Sequence, residues 1–179
     1  MNYSAIAVRY SKALISLAEE KGVLDEVQKD IALIQSVCNT EQEFKNLLEY
    51  PVLPATKKIE IFAAIFEKKI NPLTLEFLKL IANNRRESYL PSMTYAFLSL
   101  YKAKKGIKTV TVTSVEKISD SAKKAITDLV EKHYNADIEL IEETNKDLIG
   151  GFVLRIDDEQ FDASVAHQLE KLKREFVNR

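Results

Sequence analysis

Hydrophobic periodicity changes once along this chain, at Gly106, and that change limits the fold more than any other feature. Before it, apolar residues recur at the three-to-four-residue spacing of helices. After it, residues 108–113 (KTVTVT) alternate at the two-residue period of a strand and are dense in β-branched side chains. A chain of 179 residues with one such switch is predicted to hold two domains, 1–105 and 106–179. Charge shifts at the same point. The first part carries 15 basic and 12 acidic residues, the second 11 and 15, so a net of +3 gives way to −4.

The first part reads as six helices. One runs from about residue 3 to 21, where Gly22 supplies a stop. The next covers 24–37, with Val27, Ile31 and Ile34 on one face. Thr40 and Glu43 form a capping-box pattern opening a short helix that Pro51 ends. Pro54 suits the first turn of a fourth helix carrying Ile61, Ala64 and Ile65. Asn71 and Pro72 start a fifth that reaches Ala82, and a sixth begins between Arg86 and Pro91 and closes at Gly106. Short loops predict a bundle of mostly antiparallel neighbours.

The second part is predicted to be α+β. A strand over 108–113 leads to a helix over 121–133 capped by Ser119 or Asp120. A second strand contains Ile138 and Leu140, a turn at 144–147 makes a hairpin, and a third strand covers 151–156. Asp162 caps a final helix whose Val165, Leu169, Leu172 and Phe176 form one apolar line that the small sheet needs for its core. The first strand–helix–strand crossover is expected to be right-handed and the sheet mixed.

Scarcity excludes several function classes. The only glycines are Gly22, Gly106, Gly150 and Gly151, so neither a GxxxxGK[ST] phosphate loop nor a GxGxxG dinucleotide fingerprint can be written. Cys38 is the only cysteine, which rules out an intramolecular disulfide or a cysteine-based metal cluster and fits a reducing compartment. There is no HExxH motif, and no cofactor or metal is expected. The net charge of −1 gives no electrostatic reason to seek nucleic acid. Charge interrupts every long apolar stretch, so no transmembrane insertion is expected. The first helix, with Arg9 and Lys12 followed by Glu19 and Glu20, does not read as a transit peptide.

Asp162, Ser164 and His167 are the only cluster resembling a catalytic triad, but they sit at a helix start, where aspartate is a good cap. His133 lies near a helix C-terminus, where a cation is favoured. Residues 83–86 (NNRR) read as a helix C-cap or a contact to an acidic partner. Gly150 and Gly151 mark a bulge or the close approach of another backbone. Two helices say more. On the first, Ile6, Tyr10, Ala13 and Leu17 form a stripe beside a second one made by Ala7, Leu14 and Ala18. On helix 72–83, apolar residues cover more than half the circumference and leave Glu76, Lys79 and Asn83 as a polar strip. A surface helix needs an apolar stripe of only about 100°. Such a helix is either central to the bundle or one wall of a groove that a partner helix fills.

Five motifs carry a family resemblance: residues 7–14 (AVRYSKAL), 82–86 (ANNRR), 110–114 (VTVTS), 147–152 (DLIGGF) and 161–165 (FDASV). Their order and the chain length resemble the delta subunit of F-type ATP synthases, whose mitochondrial counterpart is the oligomycin-sensitivity-conferring protein. Ser11 stands where the family usually has Ala, and Arg85 where Gly is commoner. The resemblance implies a six-helix N-terminal bundle, a smaller α+β domain and a non-catalytic place in the peripheral stalk. It implies that domain 1–105 holds an N-terminal helix of an alpha subunit, and that domain 106–179 holds the C-terminal end of the b subunit. The catalytic head would then not co-rotate with the shaft. It also implies a bacterial protein on the cytoplasmic face of the cell membrane. The expected alpha-helix groove is lined by Tyr10, Ala13, Leu17, Phe77 and Leu80. A generic helical adaptor would share the bundle, but nothing in it would require the Gly-Gly strand or the capped final helix.

Overall fold

The computed structural model describes residues 4–173 apart from 135, 147, 149, 157–158, 166, 168 and 170–172. It is α+β and divides into two compact units, Met1–Lys102 and Ala103–Arg179. Among the described residues the helices are α1 (Ala5–Glu20), α2 (Leu24–Thr40), α3 (Gln42–Glu49), α4 (Ala55–Phe66), α5 (Pro72–Asn83), α6 (Leu90–Lys105) and α7 (Asp120–Tyr134). A 3-10 turn, Glu87–Tyr89, leads into α6, and α7 falls between strands β1 (Lys108–Ser114) and β2 (Ile138–Thr144). Strands β3 (Phe152–Ile156) and β4 (Glu159–Asp162) follow.

Among its described residues the N-terminal unit is helical apart from short turns and the Glu87–Tyr89 3-10 turn. Its core takes Ala7, Leu14, Ile15 and Ala18 from α1, Val27, Ile31 and Ile34 from α2, and Leu78, Ile81 and Ala82 from α5. Phe44 of α3 packs against Phe62 and Phe66 of α4, with ring centroids 5.9 and 5.8 Å apart. The buried face of α4 is therefore Lys58, Phe62 and Phe66 rather than the line through Ile61, Ala64 and Ile65. The aromatic rings, being larger, gain more from burial than the branched residues beside them. Pro54 sits one place earlier than expected, at the N-cap, where its carbonyl accepts from the Lys57 and Lys58 amides. The expected capping box is absent. Thr40 ends α2 with its hydroxyl donating to the Ser36 carbonyl, and α3 starts at Gln42 without a side-chain cap.

In the C-terminal unit the sheet order is β2-β1-β3-β4. Strand β1 is parallel to β2 and antiparallel to β3, which pairs antiparallel with β4. The sheet is mixed, as expected, but β2 and β3 form no hairpin: the chain passes from β2 to the opposite edge of β1. The hairpin is β3–β4, and β4 (EQFD) has no apolar alternation from which it could be anticipated. Register sets Val110 beside Ile156 and Val112 beside Leu154, and these four with Val130 of α7 make the core.

The final apolar line is only partly within view. Val165, His167, Leu169 and Lys173 are helical, whereas Leu172 and Phe176 lie outside the described residues. Leu169 is 57% exposed and Val165 39%, so the expectation that they fill the sheet's core is corrected. The core is closed by α7 through Val130.

Candidate functional site

A groove of about 460 Å³ runs between α1 and α5. Local chemistry fixes both walls. Ser4 caps α1 by accepting the Ala7 amide at 3.2 Å. Asn71 caps α5 by accepting the Leu73 amide at 2.9 Å, with Pro72 in the first turn. The start of α5 is also tied to α2. Buried Asp30 accepts the Asn71 amide at 2.8 Å and the Thr74 hydroxyl at 2.7 Å, a carboxylate at a helix N-terminus where its charge is favoured.

On α1 the core takes Ala7, Ser11, Leu14, Ile15 and Ala18. That leaves the adjoining Tyr10–Ala13–Leu17 stripe to face outward. Tyr10, Ala13, Leu17, Phe77 and Leu80 all line the one groove, so the structure brings together the five residues singled out from sequence. Leu17 is 40% and Leu80 51% exposed, while Phe77 is 8% exposed and forms the floor with the buried Leu14 and Leu73. Two large apolar side chains are thus held in the open on opposite walls of the groove. Tyr10 meets Phe77 at a centroid distance of 6.5 Å, and its phenol oxygen accepts from the Asn84 side-chain amide at 3.2 Å. Since Leu73 also lines the groove, its walls are antiparallel: Tyr10 lies toward the end of α5, Leu17 toward its start.

Ile59 of α4 and the Asn84 bond were not anticipated. Nothing in the sequence of α4 links it to this groove. The polar strip on α5 did signal Glu76, Lys79 and Asn83, which form the rim. Lys79 donates to Glu76 at 2.7 Å along that rim.

The elbow at 83–86 is a C-terminal cap. The Arg85 amide donates to the Ala82 carbonyl and the Arg86 amide to the Ile81 carbonyl, with Arg85 left-handed at φ 53°. Asp162, Ser164 and His167 build the turn that starts the final helix, with one correction to which of them caps it. Ser164 is the cap of the final helix, its hydroxyl accepting the His167 amide at 3.2 Å. Asp162 ends β4 and accepts the Ser164 amide at 2.9 Å; hydrogen bonds from Ser164 hold its carboxyl below the usual range. Ser164 is buried and its oxygen is engaged, an arrangement suited to ending a turn. His133 lies in the last turn of α7, edge-on to Tyr134.

Gly150 and Gly151 mark the close approach. The Val165 amide donates to the Gly150 carbonyl and the Ala163 amide to the Phe152 carbonyl, so two backbones cross here. A Cβ on Gly151 would lie 2.4 Å from the Ala163 carbonyl oxygen. Among the described residues no three His, Cys, Asp or Glu side chains converge as metal ligands, and no helix is long and apolar enough to cross a membrane.

Residues 6–176 match the family described as ATP synthase delta (OSCP) subunit. The chain is 35% identical over 99% of its length to ATP synthase subunit delta of Cytophaga hutchinsonii, covering 97% of that protein. It is 36% identical over 96% of its length to the same subunit of Amoebophilus asiaticus, covering 94% of it. A chain in the Toxoplasma gondii mitochondrial ATP synthase hexamer shares the fold, with a TM-score of 0.78 at 20% identity over 97% of this chain and 98% of that one.

Proposed function

The chain belongs to the ATP synthase delta (OSCP) subunit family, a structural component of the peripheral stalk of F-type ATP synthase, and from that premise we propose how each unit is used. The six helices of the N-terminal unit form the bundle that grips the catalytic head, and the α1–α5 groove takes the N-terminal helix of an alpha subunit. The C-terminal unit takes the end of the b-subunit stalk, on surfaces that include the exposed Leu129, Phe152 and Phe161. The subunit catalyses nothing itself. It transmits torque resistance from stalk to head on the cytoplasmic face of a bacterial cell membrane, so that rotation of the shaft is not lost as rotation of the head.

One observation carries this reading: Tyr10, Ala13, Leu17, Phe77 and Leu80 share one groove while the core is already filled behind them. A helix laid there would bury anchors at i, i+3, i+4 and i+7, and the exposed Ala13 would let its backbone approach closely. Ala13→Asp should therefore weaken binding of an alpha-subunit N-terminal peptide by about 1–3 kcal/mol, because the carboxylate would be desolvated against an apolar wall. Calorimetric titration of the peptide against wild type and variant measures this, with circular dichroism melts as the control. Equal affinities in two folded proteins would move the site elsewhere.

A further inference from the structure

The rim of the groove is charged asymmetrically along its length. At 100° per residue, Arg9 and Glu20 of α1 fall within about 20° of each other and flank Ala13 on the same edge, about 16 Å apart along the axis. Both are exposed. Arg9 stands at the Tyr10 end, its guanidinium 6.0 Å from the centre of that ring, and Glu20 stands at the Leu17 end. The opposite wall repeats the order. Glu76 lies toward the start of α5, and exposed Arg85 follows Asn84, whose amide bonds Tyr10. Lys79, bonded to Glu76, lies between them. At the Leu17 end, however, exposed Lys21 lies within about 40° of Leu17 and offsets Glu20, as Lys79 offsets Glu76. Both walls thus run from balanced at the Leu17 end to basic at the Tyr10 end.

We propose that these rim charges fix the polarity of docking: the bound amphipathic helix lies with its acidic end beside Arg9 and Arg85 and its other end at the charge-balanced Leu17 end. The apolar floor cannot make this choice, since a face with anchors at i, i+3, i+4 and i+7 packs nearly as well when turned end for end. Charges at the edge of an interface contribute register and partner discrimination more than affinity. The inference rests on the groove being a helix site.

The test uses the full chain and a synthetic helical peptide with four leucine anchors, glutamates at one end and lysines at the other. A nitroxide on the glutamate end broadens nearby amide resonances in a heteronuclear NMR spectrum. Signals of residues 6–10 should broaden more than those of 17–21, and the contrast should shrink as salt rises to about 0.5 M. In the double variant Arg9→Glu with Glu20→Arg the preference should reverse, since the basic excess moves to the Leu17 end beside Lys21. That variant places acid in the first turns of α1 and base in the last, which suits the helix dipole and should preserve the fold. A peptide with glutamine flanks should bind both proteins with no preferred end. Equal broadening at both ends by the charged peptide, or a preference unmoved by the double variant, would overturn the polarity while leaving the groove intact. Failure of all the peptides to bind would remove the groove reading, and the polarity with it.

Discussion

Two helices end in the same way with different residues. At the end of α1 the Gly22 amide donates to the Glu19 carbonyl and the Val23 amide to the Ala18 carbonyl, with Gly22 at φ 68°. At the end of α5, Arg85 occupies the equivalent left-handed position. A side chain there is strained, and glycine gives back part of the gain through its looser unfolded state. Arg85→Gly is therefore expected to stabilise the N-terminal unit by about 0.5–1 kcal/mol, and Gly22→Ala to destabilise it by a similar amount. Urea unfolding of both variants checks the pair. Gly151→Ala should cost at least about 3 kcal/mol, because its Cβ would collide with backbone rather than a side chain that can yield. Burial pushes the Cys38 thiol up to about 11, against a smaller opposing effect of Lys45. In the unfolded chain the thiol titrates near 8.5, so the folded state prefers the protonated form. Its contribution is full below that pH and falls as pH rises toward 11. Iodoacetamide at pH 8 should accordingly label Cys38 only as fast as the unit opens.

At the scale of elements, polar ties across the bundle set how helices meet. Lys58 of α4, 1% exposed, donates to the Leu48 carbonyl and pairs with Glu87 of the 3-10 turn. Removing one member of a buried pair strands the other, so Lys58→Met should cost about 3–5 kcal/mol, and adding Glu87→Leu should restore most of it. Thermal melts of the two variants decide this. No spacing rule in the sequence could have identified that pair, because Lys58 and Glu87 are 29 positions apart. The stop at Gly22 and the start at Asn71 were legible, since each acts on backbone groups within a few residues. The Ser4 cap, by contrast, lies one residue inside the helix expected from about residue 3. Thr40 misled for the same local reason: its hydroxyl could serve the helix behind it or the one ahead, and packing chose the former. Strand β4 was invisible because its edge position demands backbone pairing with β3 and no apolar pattern.

For the whole molecule, the division falls within the last turn of α6, after Lys102. Residues 103–105 stay helical, and Gly106 at φ 70° ends the helix with no atom near its missing side chain. Limited proteolysis is expected to cut at 105–107 and release a helical N-terminal fragment, since exposed backbone at an element boundary is the preferred site of nicking. Mass spectrometry of the fragments identifies the bond. Survival of the intact chain with one cooperative unfolding transition would count against independently folding units. The groove itself was legible because the amphipathic pattern of α1 and the over-wide apolar face of α5 are local facts. That the two faces share one groove was also expected, and Tyr10, Ala13, Leu17, Phe77 and Leu80 line it together.

The sequence by itself determined the order of the helices and of the first three strands, most of their boundaries, the mixed α+β class and the apolar side chains that the core leaves over. These follow from periodicity, capping and glycine, all of which operate over a handful of residues. Tertiary structure decided what lies beside what. It placed β3 on the far side of β1 instead of against β2, set Ile59 and Asn84 at the groove, and gave Lys58 its carboxylate. Such choices depend on burying the whole set of apolar faces at once, and that sum is not written in any one stretch of chain.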